Sequence, residues 1–160
     1  IGIARGSLEV FADIAKNKIP MLTSASLANR GIAQYRMGVA EATYRASRAW
    51  LMESMTAVED ELTGNSDLPG AKTTQDARLA CTHAANECMK VVDLLHNTAG
   101  TTGMRTYSPL ERKLRDSHGA ATHRWVAHPL YEDLGKILLG IEPGPEFAGG
   151  TGAPILAKPK

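Results

Sequence analysis

Two histidines near the end of the sequence carry side chains suited to proton transfer near neutral pH. His118 and His123 are five residues apart, which places them about 140° apart around a helix, too far for one metal ion. His118 flanks the apolar seam, so we expect a partly buried histidine in the core. His123 points away from that seam, where it is either solvated or, in a larger protein, placed to meet another domain and act in acid–base chemistry.

A glycine–threonine turn is the second candidate site. Gly100, Thr101 and Thr102 follow a predicted helix that ends near Ala99. Small residues let a ligand approach the backbone, and hydroxyl groups can bind a phosphate or a ring edge. An ordinary glycine helix stop is the simpler interpretation. The turn is not a dinucleotide fingerprint, because it follows a helix and not a strand.

The two cysteines, Cys81 and Cys88, share one face of a predicted helix. Seven residues separate them, so their Cα atoms lie about 10.5 Å apart, whereas a disulfide needs less than about 7 Å. We therefore expect reduced thiols, as in a cytosolic protein. The heptad pattern places both in the core, and no ligand set for a metal accompanies them.

Charge and composition exclude several functional classes. The 160 residues are 43% hydrophobic and 22% charged, with 18 Lys plus Arg against 17 Asp plus Glu. A net charge of +1 gives no reason to expect nucleic acid or an anionic membrane. No apolar run is long enough to span a bilayer. The chain lacks a starting Met and a signal-peptide pattern, so we expect a fragment or one domain of a larger protein.

Helical periodicity continues along the sequence, and no strand pattern occurs. We predict an all-α fold, an up-and-down four-helix bundle with a short extra C-terminal helix over residues 1–142, followed by a Gly/Pro-rich tail over 143–160. Capping boxes are predicted at Thr73 and Ser108, with Pro109 at the first helical position. The helices are predicted at about residues 3–18, 27–62, 73–99, 109–128 and 130–139.

Two apolar seams support these helices. On the second helix, apolar residues repeat at intervals of three and four over some thirty residues, at positions Ile32, Tyr35, Val39, Ala42, Ala46, Ala49, Met52, Met55, Val58 and Leu62. The predicted core seam of the fourth helix consists of Leu110, Leu114, Ser117, Ala121 and Trp125.

The sequence contains the string SPLERKLRD at residues 108–116, which is followed by His123. It resembles the C-terminal helical domain of the acyl-CoA dehydrogenase superfamily, and most of all the branch of two-component flavin-dependent monooxygenases. Oxygenase components of that branch act on 4-hydroxyphenylacetate, dibenzothiophene and a steroid-derived phenol. Residues 2–9, 92–95 and 99–102 extend the resemblance over nearly the whole chain.

The resemblance implies further parts. Members carry an N-terminal helical domain and a central β-barrel ahead of the bundle, with the flavin between barrel and bundle. The bundles form the centre of a homotetramer, and flavin contacts cross between subunits.

The resemblance also implies residue roles. His123 matches a histidine near the reactive edge of the flavin, which stabilises the flavin C4a-(hydro)peroxide or takes the proton from a phenolic substrate. Gly100, Thr101 and Thr102 match the turn that contacts flavin. Arg124 matches the position of the catalytic glutamate in most dehydrogenases of the superfamily, and arginine cannot abstract a proton because it stays protonated.

The function implied is therefore that of a cytoplasmic oxygenase component. It would take reduced flavin, FADH2 or FMNH2, from a separate flavin reductase and use O2 on a small aromatic or heteroaromatic substrate, without a metal. Two alternatives remain open: the C-terminal domain of an acyl-CoA dehydrogenase, and a non-catalytic helical oligomerisation module.

Overall fold

The protein is an antiparallel helical bundle. The structure, a computed structural model, describes residues 1–64 and 68–144. Within these ranges no strand occurs, which confirms the all-α prediction. Two short 3₁₀ helices, Leu27–Asn29 and Gly100–Thr102, interrupt the connections. The α-helices are α1 (Gly2–Asn17), α2 (Gly31–Thr63), α3 (Ala71–Ala99), α4 (Pro109–Ala121) and α5 (Pro129–Leu138).

Contacts at the helix ends establish the up-and-down topology. Arg36, near the start of α2, donates from Nη1 to the Thr98 hydroxyl at the end of α3, 3.4 Å away. Lys18, just after α1, donates from Nζ to the carbonyl oxygen of Ala99 at 2.6 Å. The ends of α1 and α3 therefore meet, whereas α2 runs in the opposite direction to both. The predicted bundle topology is confirmed.

The central helices are much longer than their neighbours. With 33 and 29 residues, α2 and α3 extend over about 50 Å and 44 Å, against 16 and 13 residues for α1 and α4. Since α1 packs at the carboxyl-terminal end of α3, the opposite end of the α2–α3 pair projects beyond the bundle. We call this end the α2–α3 hairpin. It is flanked by α5, whose Leu134 is buried.

The main core lies where α1, α3 and α4 meet. Leu8, Phe11, Val92, Leu95 and Leu110 are each at most 1% exposed. On α3 the predicted heptad is confirmed at most positions, because Ala77, Ala84, Cys88, Val91 and Leu95 are all buried. Burying side chains of this size stabilises a fold by about 1.5–3 kcal/mol each.

The apolar seam predicted for α2 is wrong as a core face. Ile32, Tyr35, Val39, Met52 and Met55 are all exposed. The buried face instead carries small residues at a regular interval of seven, Ala33, Ala40, Ser47 and Ser54, together with Tyr44. Small side chains let α2 approach α3 closely, so the large apolar residues on the opposite face remain uncovered.

The predicted helix starts also need correction. A 3₁₀ turn occupies Leu27–Asn29, and α2 begins only at Gly31 after an extended Arg30. Neither predicted capping box forms. The Thr73 hydroxyl donates to the Glu61 carboxylate across the α2–α3 connection, so α3 begins earlier than predicted, at Ala71.

At the start of α4, Pro109 takes the first helical position as predicted. The hydroxyl of Ser108 is buried without a hydrogen-bond partner in the described part of the chain. The Glu111 carboxylate pairs with Arg115, and the Ser108 amide donates instead to the carbonyl of Arg105. The predicted tail lies outside the described residues from position 145 onward. None of the described helices combines the length and hydrophobicity that crossing a bilayer requires.

We expect the chain to self-associate through the exposed apolar face of α2. A contiguous apolar surface of this kind favours association with a second apolar surface. Sedimentation velocity at high micromolar concentration should show species heavier than a monomer. Replacing Tyr35 and Val39 with serine should shift the distribution toward monomer, whereas Met21→Ser, at an exposed position outside that face, should not. A clean monomer for the unmodified chain would contradict this expectation.

Candidate active site

A tight turn between α4 and α5 presents His123. Helix α4 ends at Ala121, so His123 lies beyond the helix, and the prediction that both histidines share one helix is wrong. Beyond Ala121 the backbone forms a tighter turn than an α-helix, since the amide of His123 donates to the carbonyl three residues back, that of Ala120, at 3.3 Å. The imidazole of His123 is consequently exposed, consistent with the predicted outward orientation.

The backbone of the turn fixes the orientation of the imidazole. The amide of Trp125 donates to Nδ1 of His123 at 3.4 Å. A nitrogen that accepts a hydrogen bond carries no proton, so the neutral ring holds its proton on Nε2. His123 therefore offers an Nε2–H donor on the exposed side of the turn.

Trp125 forms a wall of the site instead of joining the core. It was predicted to end the seam of α4, but the helix stops four residues earlier and the indole is exposed. The guanidinium carbon of Arg78 lies 4.9 Å from the centre of the indole ring, and that of Arg124 lies 5.6 Å away. Such distances are typical of cation–π contacts. Burial lowers the pKa of Arg78.

An apolar groove adjoins this turn, which we call the Trp125 groove. It lies between the α2–α3 hairpin and the turn and has a volume of about 380 Å³, within the range of small-molecule sites. Its lining residues are mainly apolar: Met55, Val58, Pro69, Thr74, Ala77, Arg78, Cys81, Trp125 and Val126.

In the glycine–threonine turn, the backbone conformation and the close packing both favour glycine, at Gly100 and Gly103 respectively. Gly100 adopts φ +60° and ψ −145°, which side chains disfavour. A Cβ on Gly103 would come within 3.0 Å of the carbonyl oxygen of His96. Thr101 is exposed and Thr102 is half-buried. The glycine helix stop therefore explains the glycines by itself, while the exposed hydroxyl of Thr101 can reach a ligand.

The two predicted parts of the site are not brought together within one chain. The turn that carries His123 contacts α3 at Asn86, whereas Gly100 follows the end of that helix. The intervening fourteen residues correspond to about 21 Å. One flavin ring system cannot contact both His123 and Thr101 of the same chain.

His118 was predicted to be a partly buried packing residue on the flank of the core seam, and the structure places it at the surface. Its side chain is about half exposed, and Nε2 lies 2.8 Å from Oδ1 of Asp93 on α3. The same helix carries surface ion pairs, with Nε of Arg112 3.4 Å from Oδ2 of Asp116 and Nε of Arg115 2.7 Å from Oε1 of Glu111. No cluster of three metal-binding side chains occurs among the residues that the structure describes.

The cysteines differ in their surroundings. Cys88 is buried as predicted, but Cys81 is only half-buried and lines the Trp125 groove. Both are free thiols. Burial raises the pKa of both thiols, which leaves less of the reactive thiolate at a given pH.

We expect a thiol reagent at pH 8 to modify Cys81 faster than Cys88, by at least about tenfold, because Cys88 reacts only after local opening of the bundle. Both should react more slowly than in denaturant. Cys81→Ser and Cys88→Ser variants assign the two rates. Equal rates in the folded protein would contradict the burial of Cys88.

The sequence prediction missed Asn86, whose side chain contacts the turn. Its amide nitrogen lies 3.0 Å from the carbonyl oxygen of Val126. The heptad gave no signal for it, because residues two apart lie about 200° apart around a helix, which places Asn86 on the side opposite to the predicted seam at Ala84 and Cys88.

Comparison with known proteins gives consistent results. The sequence matches the family described as acyl-CoA dehydrogenase, C-terminal domain, over residues 1–128. It is 31% identical over 147 residues to the indole-3-acetate monooxygenase of Acinetobacter baumannii and 29% identical over 147 residues to that of Pseudomonas putida. It is 30% identical over 148 residues to the p-hydroxyphenylacetate 3-hydroxylase, oxygenase component, of Acinetobacter baumannii.

These alignments cover most of this chain but little of each relative. They include 92%, 92% and 91% of the chain, and 38%, 38% and 34% of the respective relatives. The resemblance inferred from residues 108–116 and His123 is thereby confirmed at the level of the family. Since the family pattern matches most of the chain and its helices form the expected bundle, the chain belongs to the acyl-CoA dehydrogenase C-terminal domain family.

Proposed function

We propose that this chain is the C-terminal domain of the oxygenase component of a two-component flavin-dependent monooxygenase. The observation that carries the proposal is the turn of His123, which presents an exposed imidazole and also contributes Trp125 and Val126 to an apolar groove. The names of the three relatives, all of them oxygenating enzymes, support the same function.

His123 acts through its Nε2–H. Because Nδ1 accepts the Trp125 amide, the neutral ring is a donor toward an oxygen atom in the site. Of the two roles that the resemblance implies, this geometry favours donation over removal of a phenolic proton. The neighbouring Arg124 is cationic and cannot act as a carboxylate base, which argues against the dehydrogenase alternative.

The substrate is a small aromatic acid in our proposal. Two of the relatives are named for indole-3-acetate and one for p-hydroxyphenylacetate. The Trp125 groove offers apolar surface for such a ring, and two of its lining residues, Trp125 and Val126, belong to the turn that carries His123. Water is excluded from an apolar groove of this kind once a ring fills it, which strengthens the hydrogen bond that His123 donates.

Reduced flavin, as FADH2 or FMNH2, supplies the electrons that activate O2, and a separate flavin reductase delivers it. At the glycine–threonine turn, the exposed Thr101 hydroxyl and the nearby Lys18 and Arg36 suit the phosphate groups of a flavin nucleotide. Because this turn and His123 lie about 21 Å apart along α3, we propose that each chain contributes them to different flavins in a homotetramer.

The full-length protein is the right material for the test, because the chain spans only about a third of its relatives. It should be supplied with O2, a flavin reductase and FAD or FMN, and with indole-3-acetate or p-hydroxyphenylacetate in turn. We expect an oxygenated product. Bleaching of bound oxidised flavin by an acyl-CoA, without aromatic oxygenation, would instead establish a dehydrogenase.

A second measurement tests the groove directly. A bound aromatic acid should slow the modification of Cys81, which lines the groove, and should leave that of Cys88 unchanged. Equal rates with and without a saturating substrate would place the substrate elsewhere.

We further propose a cytoplasmic location, in keeping with the two free thiols.

A further inference from the structure

A buried amide links α3 to the turn of the candidate site. Asn86 is 2% exposed, and a buried amide requires hydrogen-bond partners to offset its desolvation. Its Nδ2 group donates to the carbonyl of Thr82 at 2.7 Å, within the same helix. The same group donates to the carbonyl of Val126 at 3.0 Å, forty residues further along the chain.

Val126 is held on both sides by these bonds. While its carbonyl accepts from Asn86, its own amide donates to the carbonyl of His123 at 2.9 Å. The side chain of Asn86 is thus two hydrogen bonds away from the backbone of His123. Arg78 of α3 also contacts the turn, through the indole of Trp125. The hydrogen bond between Tyr131 of α5 and Nδ1 of His83, at 3.3 Å, links α3 to the helix after the turn.

The choice of residue at position 86 is not explained by the stability of α3 alone. Asparagine is a weaker helix former than leucine or alanine, and Asn86 is buried together with Thr82, which lies one turn earlier on the same face of α3. A buried polar group with satisfied bonds restricts its surroundings to one arrangement. Here the restricted element is the turn that carries His123 and Trp125.

We propose that Asn86 is a positioning residue, whose amide clamps the α4–α5 turn so that the imidazole of His123 and the indole of Trp125 keep their places beside the groove. The catalytic consequence rests on the proposed function of His123. The clamp itself is a property of the fold and can be measured without any activity.

Asn86→Leu in the full-length protein tests the clamp, because leucine keeps the approximate shape and removes the donor. Hydrogen exchange measured by mass spectrometry should accelerate about tenfold in peptides that cover residues 122–128. Peptides from α1 should keep their protection. In turnover, product formed per O2 consumed should fall about tenfold or more, since small misplacements of catalytic groups are costly. The affinity for reduced flavin should be unchanged.

Thr82→Val is the matched control. Thr82 lies one turn earlier on α3, is fully buried, and its hydroxyl has no partner in the described part of the chain. Valine keeps its shape, so exchange in the turn and the coupling of O2 use to product should both remain those of the unmodified protein. If Asn86→Leu does not fold, Asn86→Ser removes the same donor with less change in hydrophobicity and serves in its place.

Each result decides a defined part of the proposal. Unchanged exchange over residues 122–128 in Asn86→Leu or Asn86→Ser would overturn the clamp. If hydrogen exchange becomes faster but the product formed per O2 consumed stays the same as in the unmodified protein, the positioning role would be overturned. If the unmodified full-length protein oxygenates no aromatic acid, the proposed function fails, while the exchange result still decides whether Asn86 holds the turn.

Discussion

Replacing His123 with alanine in the full-length protein should lower product formation by about 10²–10⁴-fold, the usual scale for a lost acid–base or donor group. The fold should be almost unaffected, because the imidazole is exposed and, within the described residues, its hydrogen bond is the one that it accepts from the amide of Trp125. Reduced flavin should still bind, and the O2 consumed should appear as hydrogen peroxide. Parallel assays of product, peroxide and O2 consumption measure this redistribution.

His123→Gln distinguishes the two roles considered for the ring. The amide of glutamine can place a donor near the position of Nε2 but cannot act as a base. If His123 donates a hydrogen bond, the Gln variant should recover part of the activity that the Ala variant loses. If it removes a proton, both variants should be equally impaired. Full coupling in His123→Ala would exclude His123 from the chemistry.

His118→Ala is the control for replacing a neighbouring histidine. Its imidazole pairs with Asp93 on the surface of the bundle, and exposed pairs of this kind contribute about 0–1 kcal/mol. The variant should therefore keep both the stability and the coupling of the unmodified protein. The sequence predicts a partly buried packing histidine, so a clear loss of stability in His118→Ala would favour that interpretation over the surface pair.

The helices of this chain were predictable where large apolar residues face the core. On α3, Val91 and Leu95 continue a heptad that both the pattern and the structure place inside. On α2 the same reasoning selected the wrong face. Close contact between long helices requires small side chains, and residues such as Ala40 and Ser47 carry little weight in a hydrophobic pattern. The large residues Tyr35 and Met52 therefore marked the outer surface.

The candidate site was predictable only in part. His123 was identified by its outward position and its match to the family, and both are compatible with the observed turn. Its environment depends on contacts between residues far apart in sequence, such as Asn86 with Val126 and Arg78 with Trp125. Sequence periodicity carries no information about such pairs. It also extended α4 seven residues too far, to 128 instead of Ala121, which placed Trp125 in the core.

Phe11→Ala should destabilise the chain by about 3–5 kcal/mol, the usual cost of truncating a buried phenylalanine. Phe11 is 1% exposed and lies in the core that α1 shares with α3 and α4. Because small domains are stable by only about 5–15 kcal/mol in total, the midpoint of thermal unfolding should fall by about 6–20 °C. Circular dichroism at 222 nm follows the loss of helix directly.

Tyr35→Ala is the matched control, since it removes an aromatic ring of similar size from the exposed face of α2, where 69% of the residue is accessible. A ring that is already solvated in the monomer gains little from folding, so the unfolding midpoint at low protein concentration should stay within about 1–2 °C of the unmodified chain. At high concentration the same variant should weaken self-association, because its ring belongs to the apolar face that α2 exposes. Equal destabilisation by Phe11→Ala and Tyr35→Ala at low concentration would mean that both rings are buried in the folded monomer. The assignment of the two faces of α2 would then be wrong.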